Sequence, residues 1–366
     1  MKTYIPQIEP WIDDEELIQL KRVIQSTYVT EHELTQEFED LIKELTGARY
    51  AMALTNGTAA LYCCLVALGI GPGDEVIVPN LTFIATANAV LMAGATPVFC
   101  DVLPDTMCID PVEVERLITP RTKAVMPVHL YGQSADMHLL SDIAETYSLK
   151  IIEDAAQGVG VKFDNKHVGT YGDLGILSFY GNKTITCGEG GVILTDNEDL
   201  RDKCYRLKNH GRSVKGVFKH EDIGYNFAFT EMQAAIGIAQ MNKLARIVEK
   251  KNQIYDTYHA NLENLFDRLN PVYIDPRTTP VHWFVSFLTD YKEELCEHLR
   301  GESIGTRSFF YPLHRQPCYS HMNIEHGFEV TDELFNRGVS LPSSYHLTYE
   351  NQMRIIESIQ GFFNKK

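Results

Sequence analysis

Between about residue 40 and residue 240 the chain alternates short apolar runs with segments of helical character, and that alternation admits few architectures. Val76-Ile-Val-Pro, Thr96-Pro-Val-Phe-Cys, Ala124-Val-Met-Pro-Val and Lys150-Ile-Ile-Glu are the clearest strands, with turns at Pro72-Gly73 and Pro104-Asp105. Strands and helices that alternate in this way build βα units, so the expected class is α/β with a large, mostly parallel sheet. From Glu231 the spacing of Met232, Ile236, Ile238, Met241, Leu244 and Ile247 predicts a long helix. It joins two expected domains, 1–245 and 246–366. The second reads as a smaller α/β unit carrying Phe284-Val-Ser-Phe-Leu and Ile355-Ile-Glu-Ser-Ile. A length of 366 residues suits two domains.

In open α/β sheets functional side chains gather beyond the carboxyl ends of strands, and three such ends are informative here. Leu174-Gly-Ile-Leu-Ser-Phe179 leads into Lys183, within Ser178-Phe-Tyr-Gly-Asn-Lys-Thr-Ile-Thr-Cys-Gly-Glu-Gly-Gly191. A lysine delivered into a glycine-rich pocket can form a Schiff base with a carbonyl cofactor, although most lysines are plain surface charges. Leu149-Lys-Ile-Ile-Glu-Asp-Ala-Ala-Gln157 ends its strand at Glu153-Asp154. Asp154 there can hold a positively charged pyridine nitrogen, or can simply cap a helix. Third, Ala51-Met-Ala-Leu passes through Thr55-Asn-Gly-Thr58 into an apolar helix from Ala59. Free N–H groups and the helix dipole make that turn an anion cradle. Thr55, Thr58 and Ser178 add hydroxyls, and Gly57 permits close backbone approach. Lysine, acid and phosphate cradle together point to pyridoxal 5′-phosphate.

Over nearly its whole length the chain resembles the DegT/DnrJ/EryC1/StrS group of pyridoxal-phosphate-dependent nucleotide-sugar aminotransferases, which have the aspartate aminotransferase (type I) fold. The resemblance rests on Gly73-Asp-Glu-Val-Ile-Val-Pro79, Pro127-Val-His-Leu-Tyr-Gly132, Glu153-Asp-Ala-Ala-Gln157, the Lys183 run and Tyr311-Pro-Leu-His314. It implies that Lys183 carries the cofactor and Asp154 meets the pyridine nitrogen. Gln157 would lie near the phenolic oxygen, and Phe83 would stack on the ring. Gly57, Thr58 and Ser178 would cradle the phosphate. Asn226 would reach the phosphate of a neighbouring subunit, which makes a homodimer with shared active sites, or a higher oligomer, the expected assembly. Tyr28, His129, Glu153, His210, Arg212, Tyr311 and His314 are candidates for the substrate pocket. The segment Ser26-Thr-Tyr-Val-Thr-Glu-His-Glu33 lacks the family's usual glycine, which affects the sugar pocket and leaves the cofactor chemistry alone.

A branch of the group replaces the lysine by histidine and removes a hydroxyl. Lys183 argues against that branch. The implied reaction takes an amine from L-glutamate and delivers it to a keto sugar with ping-pong kinetics. The Lys183 run and Arg307-Ser-Phe-Phe-Tyr-Pro-Leu-His314 most resemble the branch that aminates C4 of GDP-4-keto-6-deoxymannose, a step in making polysaccharides such as O-antigen. C4 aminases of UDP- or dTDP-4-keto-6-deoxyglucose (the viosamine type) and C3 aminases share most of the pattern. An idle pyridoxal-phosphate-fold sensor would not need lysine, acid and cradle together. A nicotinamide dehydrogenase would need G-x-G-x-x-G where Thr55-Asn-Gly-Thr-Ala stands.

The formal charge of −16 argues against a nucleic-acid surface. A diphosphate substrate then needs local cations, for which Arg212, Lys215, Lys219, Arg307 and Arg315 are available. The eight cysteines show no metal spacing and fit small buried thiols in a reducing compartment. Met1-Lys-Thr-Tyr-Ile-Pro has no leader pattern, and the apolar run Ala59 to Ile70 is too short to span a bilayer. The expected location is the cytoplasm.

Overall fold

The computed structural model describes residues 3–214, 216–322 and 327–366. Seven strands form the central sheet: β1 (Tyr50–Leu54), β2 (Glu75–Pro79), β3 (Thr96–Cys100), β4 (Thr122–Val125), β5 (Lys150–Asp154), β6 (Leu174–Ser178) and β7 (Gly191–Thr195). Their spatial order is β1-β7-β6-β5-β4-β2-β3. From β6 across to β3 all neighbours are parallel, whereas β7 is antiparallel to both β6 and β1. The βα alternation expected up to residue 240 therefore breaks after β6. Residues 179–190 contain no helix, so β7 folds straight back beside β6. This return loop carries Lys183.

Successive strand residues face opposite ways, and they enter two different cores. Ala51, Ala53, Ile151, Leu177 and Val192 pack with buried residues of α1 (Asp14–Ser26) and α2 (Glu33–Thr46). Met52, Leu54, Ile152, Ile176 and Ile193 pack with α3 (Gly57–Ala67) and α4 (Ala85–Met92). Helix α3 is apolar all round because it is buried nearly all round. Its first turn is capped by Asn56, whose Oδ1 accepts the Ala59 N–H at 2.9 Å.

The long helix α5 (Glu231–Leu262) starts at a reciprocal cap between Thr230 and Gln233. Its first half, through Ala234, Ile238, Leu244 and Ile247, belongs to the first core. Its second half, through Ile254, Tyr258 and Leu262, enters a third core built by the C-terminal residues. There β8 (Asn270–Pro271), β9 (Val285–Leu288), β10 (Arg307–Ser308) and β11 (Gly338–Leu341) form an antiparallel sheet in the order β8-β9-β11-β10. Ile5 joins this third core and bridges to Ile304. We propose that the domain division falls inside α5 between Ile247 and Ile254, with residues near Ile5 on the small side.

The segment leading into β9 packs closely on the turn that follows β4, and its Val281, Trp283 and Phe284 belong to the first core. Gly132 has φ +88°, and a Cβ there would meet the Val281 carbonyl oxygen at 1.8 Å. Only glycine permits that approach, which brings residues 281–284 alongside the Lys183 loop. Among the described residues no helix is long and apolar enough to cross a membrane.

Candidate active site

A cavity of about 840 Å³ opens beyond the carboxyl ends of β5 and β6. The start of α3, the end of β5, the Lys183 loop and residues 307–311 line it. Of the residues singled out in the sequence, Gly57, Thr58, Phe83, Asp154, Gln157, Ser178, Lys183 and Tyr311 are brought together here.

The Lys183 amine lies at the cavity wall, 4.3 Å from the centroid of the Trp283 indole. Burial brings its pKa down to about 8; Asp154 opposes that shift and Arg307 adds to it. A lysine in this range has a usable share of free amine near neutral pH. Asp154 is buried at the end of β5, and burial raises its pKa. Two donors work against that rise and favour the anion. The Thr86 hydroxyl donates to Oδ2 at 2.8 Å, and the Ala156 N–H donates to Oδ1 at 3.2 Å. A carboxylate held in this way is matched to a cationic partner.

At the start of α3 an added Cβ on Gly57 would stand 3.3 Å from Ser178 Cβ and 3.5 Å from its Oγ. Glycine therefore keeps space between a helix N-terminus and a hydroxyl, a cradle of phosphate size. Phe83 is 54% exposed and lines the cavity, with its ring 5.9 Å from that of Phe310. Gln157 is oriented by the Tyr131 N–H, which donates to its Oε1 at 2.7 Å. That bond leaves the amide N–H groups for the cavity side. Amine, buried carboxylate, open aromatic face and anion cradle on one cavity fit pyridoxal 5′-phosphate. Bound there, the cofactor supplies an aldehyde that takes up and passes on an amino group.

Seven other candidates lie off this cavity. His129 and Glu153 are fully buried against each other, with Nε2 3.0 Å from Oε2. Glu153 also accepts the N–H groups of Gly169, Tyr171 and Gly172. Burial works against its charge, but His129 and these donors outweigh it and lower its pKa. The pair is thus a structural knot on the opposite side of the strand from Asp154. His314 is held by Asn80, with Nδ1 2.7 Å from the amide nitrogen, and faces Asp332 at 3.5 Å. Arg212 folds onto Asn209, its Nη2 donating to Oδ1 at 2.6 Å. His210 takes a left-handed backbone (φ 58°), and its carbonyl accepts from His220. Tyr28 is exposed and stacks on His32 at 4.4 Å. Asn226 is exposed, its backbone bridged to Asn209 next to the lining residue Phe227.

Among the proposed cations, Lys219 lies 3.8 Å from Glu221 and Arg315 pairs with Asp332 at 2.5 Å. Lys215 lies outside the described residues. Among the four described cations, Arg307 alone lines the cavity. Thr86 and Trp283 went unremarked in the sequence, since each reaches the site from a segment without a motif of its own. Asn56, within the Thr55–Thr58 turn, caps the helix, a role its position in the sequence does not distinguish from that of its neighbours.

The family model for the DegT/DnrJ/EryC1/StrS aminotransferase family matches residues 10–360. A GDP-perosamine synthase of Escherichia coli O157:H7 is 39% identical over 99% of this chain and all of that protein. One from Vibrio cholerae is 35% identical over 98% of this chain and 99% of that protein. Among solved structures, DesV of S. venezuelae in complex with a ketimine intermediate superposes with a TM-score of 0.92. It is 32% identical and covers 98% of both chains. Matches of this length leave no part of the sheet or cavity outside the likeness, and the chain belongs to the DegT/DnrJ/EryC1/StrS aminotransferase family.

Proposed function

We propose that the protein transfers the amino group of L-glutamate to C4 of GDP-4-keto-6-deoxymannose, giving GDP-perosamine for polysaccharide synthesis. What carries this substrate is the end-to-end match to two GDP-perosamine synthases at 39% and 35% identity. The cavity supports the chemistry: Lys183 lines it with a lowered pKa, so a group able to hold and return a proton is on hand there.

Each residue then has a task. Lys183 would hold the cofactor through its amine, and that amine is the group placed to take and return a proton. Asp154 would meet the pyridine nitrogen and favour its charged form, and Phe83 would present a ring face. Gly57, Thr58 and Ser178 would hold the phosphate, while Gln157 would face the ring's oxygen. Arg307 lines the cavity and, among the described residues, makes no ion pair, so it is assigned to an anionic group of the substrates. We assign Asn226 to the cavity of a second subunit in a homodimer. Exposed Phe218 and Ile223, 84% and 85% accessible in the single chain, support such a contact nearby. The cytoplasm, where nucleotide sugars are made, is the proposed location.

The test is to supply the pyridoxal-phosphate-loaded protein and L-glutamate with GDP-, UDP- and dTDP-linked 4-keto-6-deoxy sugars in turn. Amination of the GDP-mannose derivative, read by mass, is the expected result. Preference for a UDP or dTDP sugar would keep the chemistry and overturn the substrate.

A further inference from the structure

We propose that Trp283 is a positioning residue for Lys183, held in turn by Lys251 from the middle of α5. The proposal rests on Lys183 as the cofactor-bearing lysine. The Trp283 ring is 2% exposed, and besides facing the Lys183 amine at 4.3 Å it donates its Nε1–H to the carbonyl of Asn182 at 2.6 Å. One indole therefore grips the backbone a residue before Lys183 and forms a wall beside its amine. A lysine has a flexible four-carbon stem, and a flat wall removes most of the places its amine can occupy.

Trp283 is itself anchored from a third element. Its carbonyl accepts from Lys251 Nζ at 3.0 Å, and the same Nζ donates to the Ser343 carbonyl at 3.2 Å. Lys251 is 3% exposed, and among the described residues no carboxylate lies within ion-pair distance of it. A lysine enclosed among carbonyls is costly to bury, yet it has donors for both whether charged or neutral. Residue 283 precedes β9 and residue 343 follows β11, and the two strands run antiparallel, so the amine ties two neighbouring strands at one end of the small sheet to α5. The tie ends at the indole beside Lys183.

An aromatic face favours the ammonium form of a lysine. Trp283 thereby helps set the pH at which Lys183 offers a free amine, along with the charged groups facing it, Asp154 and Arg307. The test uses cofactor-free protein and follows capture of pyridoxal phosphate by absorbance as a function of pH. Capture needs the free amine, so its rising limb reports Lys183 without any turnover.

Trp283→Leu should move the limb to lower pH by roughly 0.5 to 1.5 units. Trp283→Phe keeps a ring and loses the bond to Asn182, so the plateau rate should fall about 2- to 10-fold. Lys251→Met should lower the plateau similarly, and Lys251→Gln, which retains two donors, should recover part of it. An unmoved limb in Trp283→Leu, or a Lys251→Met plateau equal to wild type, overturns the proposal. If Trp283→Leu does not fold, the plateaus of Trp283→Phe and Lys251→Met decide. Lys183→Ala must abolish capture; if it does not, the cofactor assignment fails independently of Trp283.

Discussion

The hydroxyl of Thr86, on α4, donates to Oδ2 of Asp154, at the end of β5, across 2.8 Å. Burial alone would push the Asp154 carboxyl towards its neutral form, and this bond is the largest force holding it as an anion. Thr86→Val keeps the shape and removes the donor. The expected outcome is pyridoxal phosphate bound about 10- to 100-fold more weakly, as a lost hydrogen bond to a charged group implies. Absorbance titration of the cofactor-free variant measures it.

Gly57→Ala places a methyl group 3.3 Å from Ser178 Cβ, inside the proposed phosphate cradle. The backbone needs no glycine-only angle here, so the fold should survive and the thermal midpoint should move little. Affinity for pyridoxal phosphate should fall by roughly 10- to 100-fold, while pyridoxal without its phosphate should bind nearly as before. A parallel loss for both ligands would speak against the cradle.

Arg307 stands in the cavity with its guanidinium 5.2 Å from the Phe284 ring. If it holds an anionic group of the substrates, Arg307→Gln should lower kcat/KM about 10- to 100-fold for the substrate it serves. Ping-pong kinetics allow L-glutamate and the keto sugar to be scored separately. Unchanged values for both would remove Arg307 from the site.

Lys251 makes a pH prediction whose sign is fixed. Burial lowers its pKa from the usual 10.5 to about 7. Between those values the unfolded chain binds a proton there that the folded chain does not, so folding gains stability as pH rises from 7. Compared with Lys251→Met, the cofactor-free wild type should gain about 1.4 kcal/mol per pH unit above pH 7. Denaturant melts of both proteins at pH 6, 7, 8 and 9 measure the difference. Taking the difference cancels the buried thiols, whose raised pKa values act in the opposite sense above pH 9.

The cavity was largely legible because its residues sit at strand ends and at a strand–turn–helix junction, where local sequence dictates backbone direction. Lys183, Asp154, Gly57 and Ser178 share one cavity for that reason. His129 and Glu153 were misplaced for a reason the sequence did contain. Side chains alternate along a strand, so an Asp154 turned to the cavity puts Glu153 on the opposite face. Trp283 was beyond such reasoning. It arrives from 100 positions further along the chain through the contact at Gly132, and nothing local marks it. The antiparallel return of β7 was missed too, since an apolar run such as Gly191-Val-Ile-Leu-Thr looks the same in either direction.

Helix α5 runs unbroken for 32 residues, roughly 48 Å, with one end in the large core and the other in the small one. It is an axle shared by two wheels. Between the two halves lies Val248–Gln253, the stretch from which Lys251 reaches the carbonyls of Trp283 and Ser343. A bend there would be felt at Trp283, and through it at the wall beside the Lys183 amine.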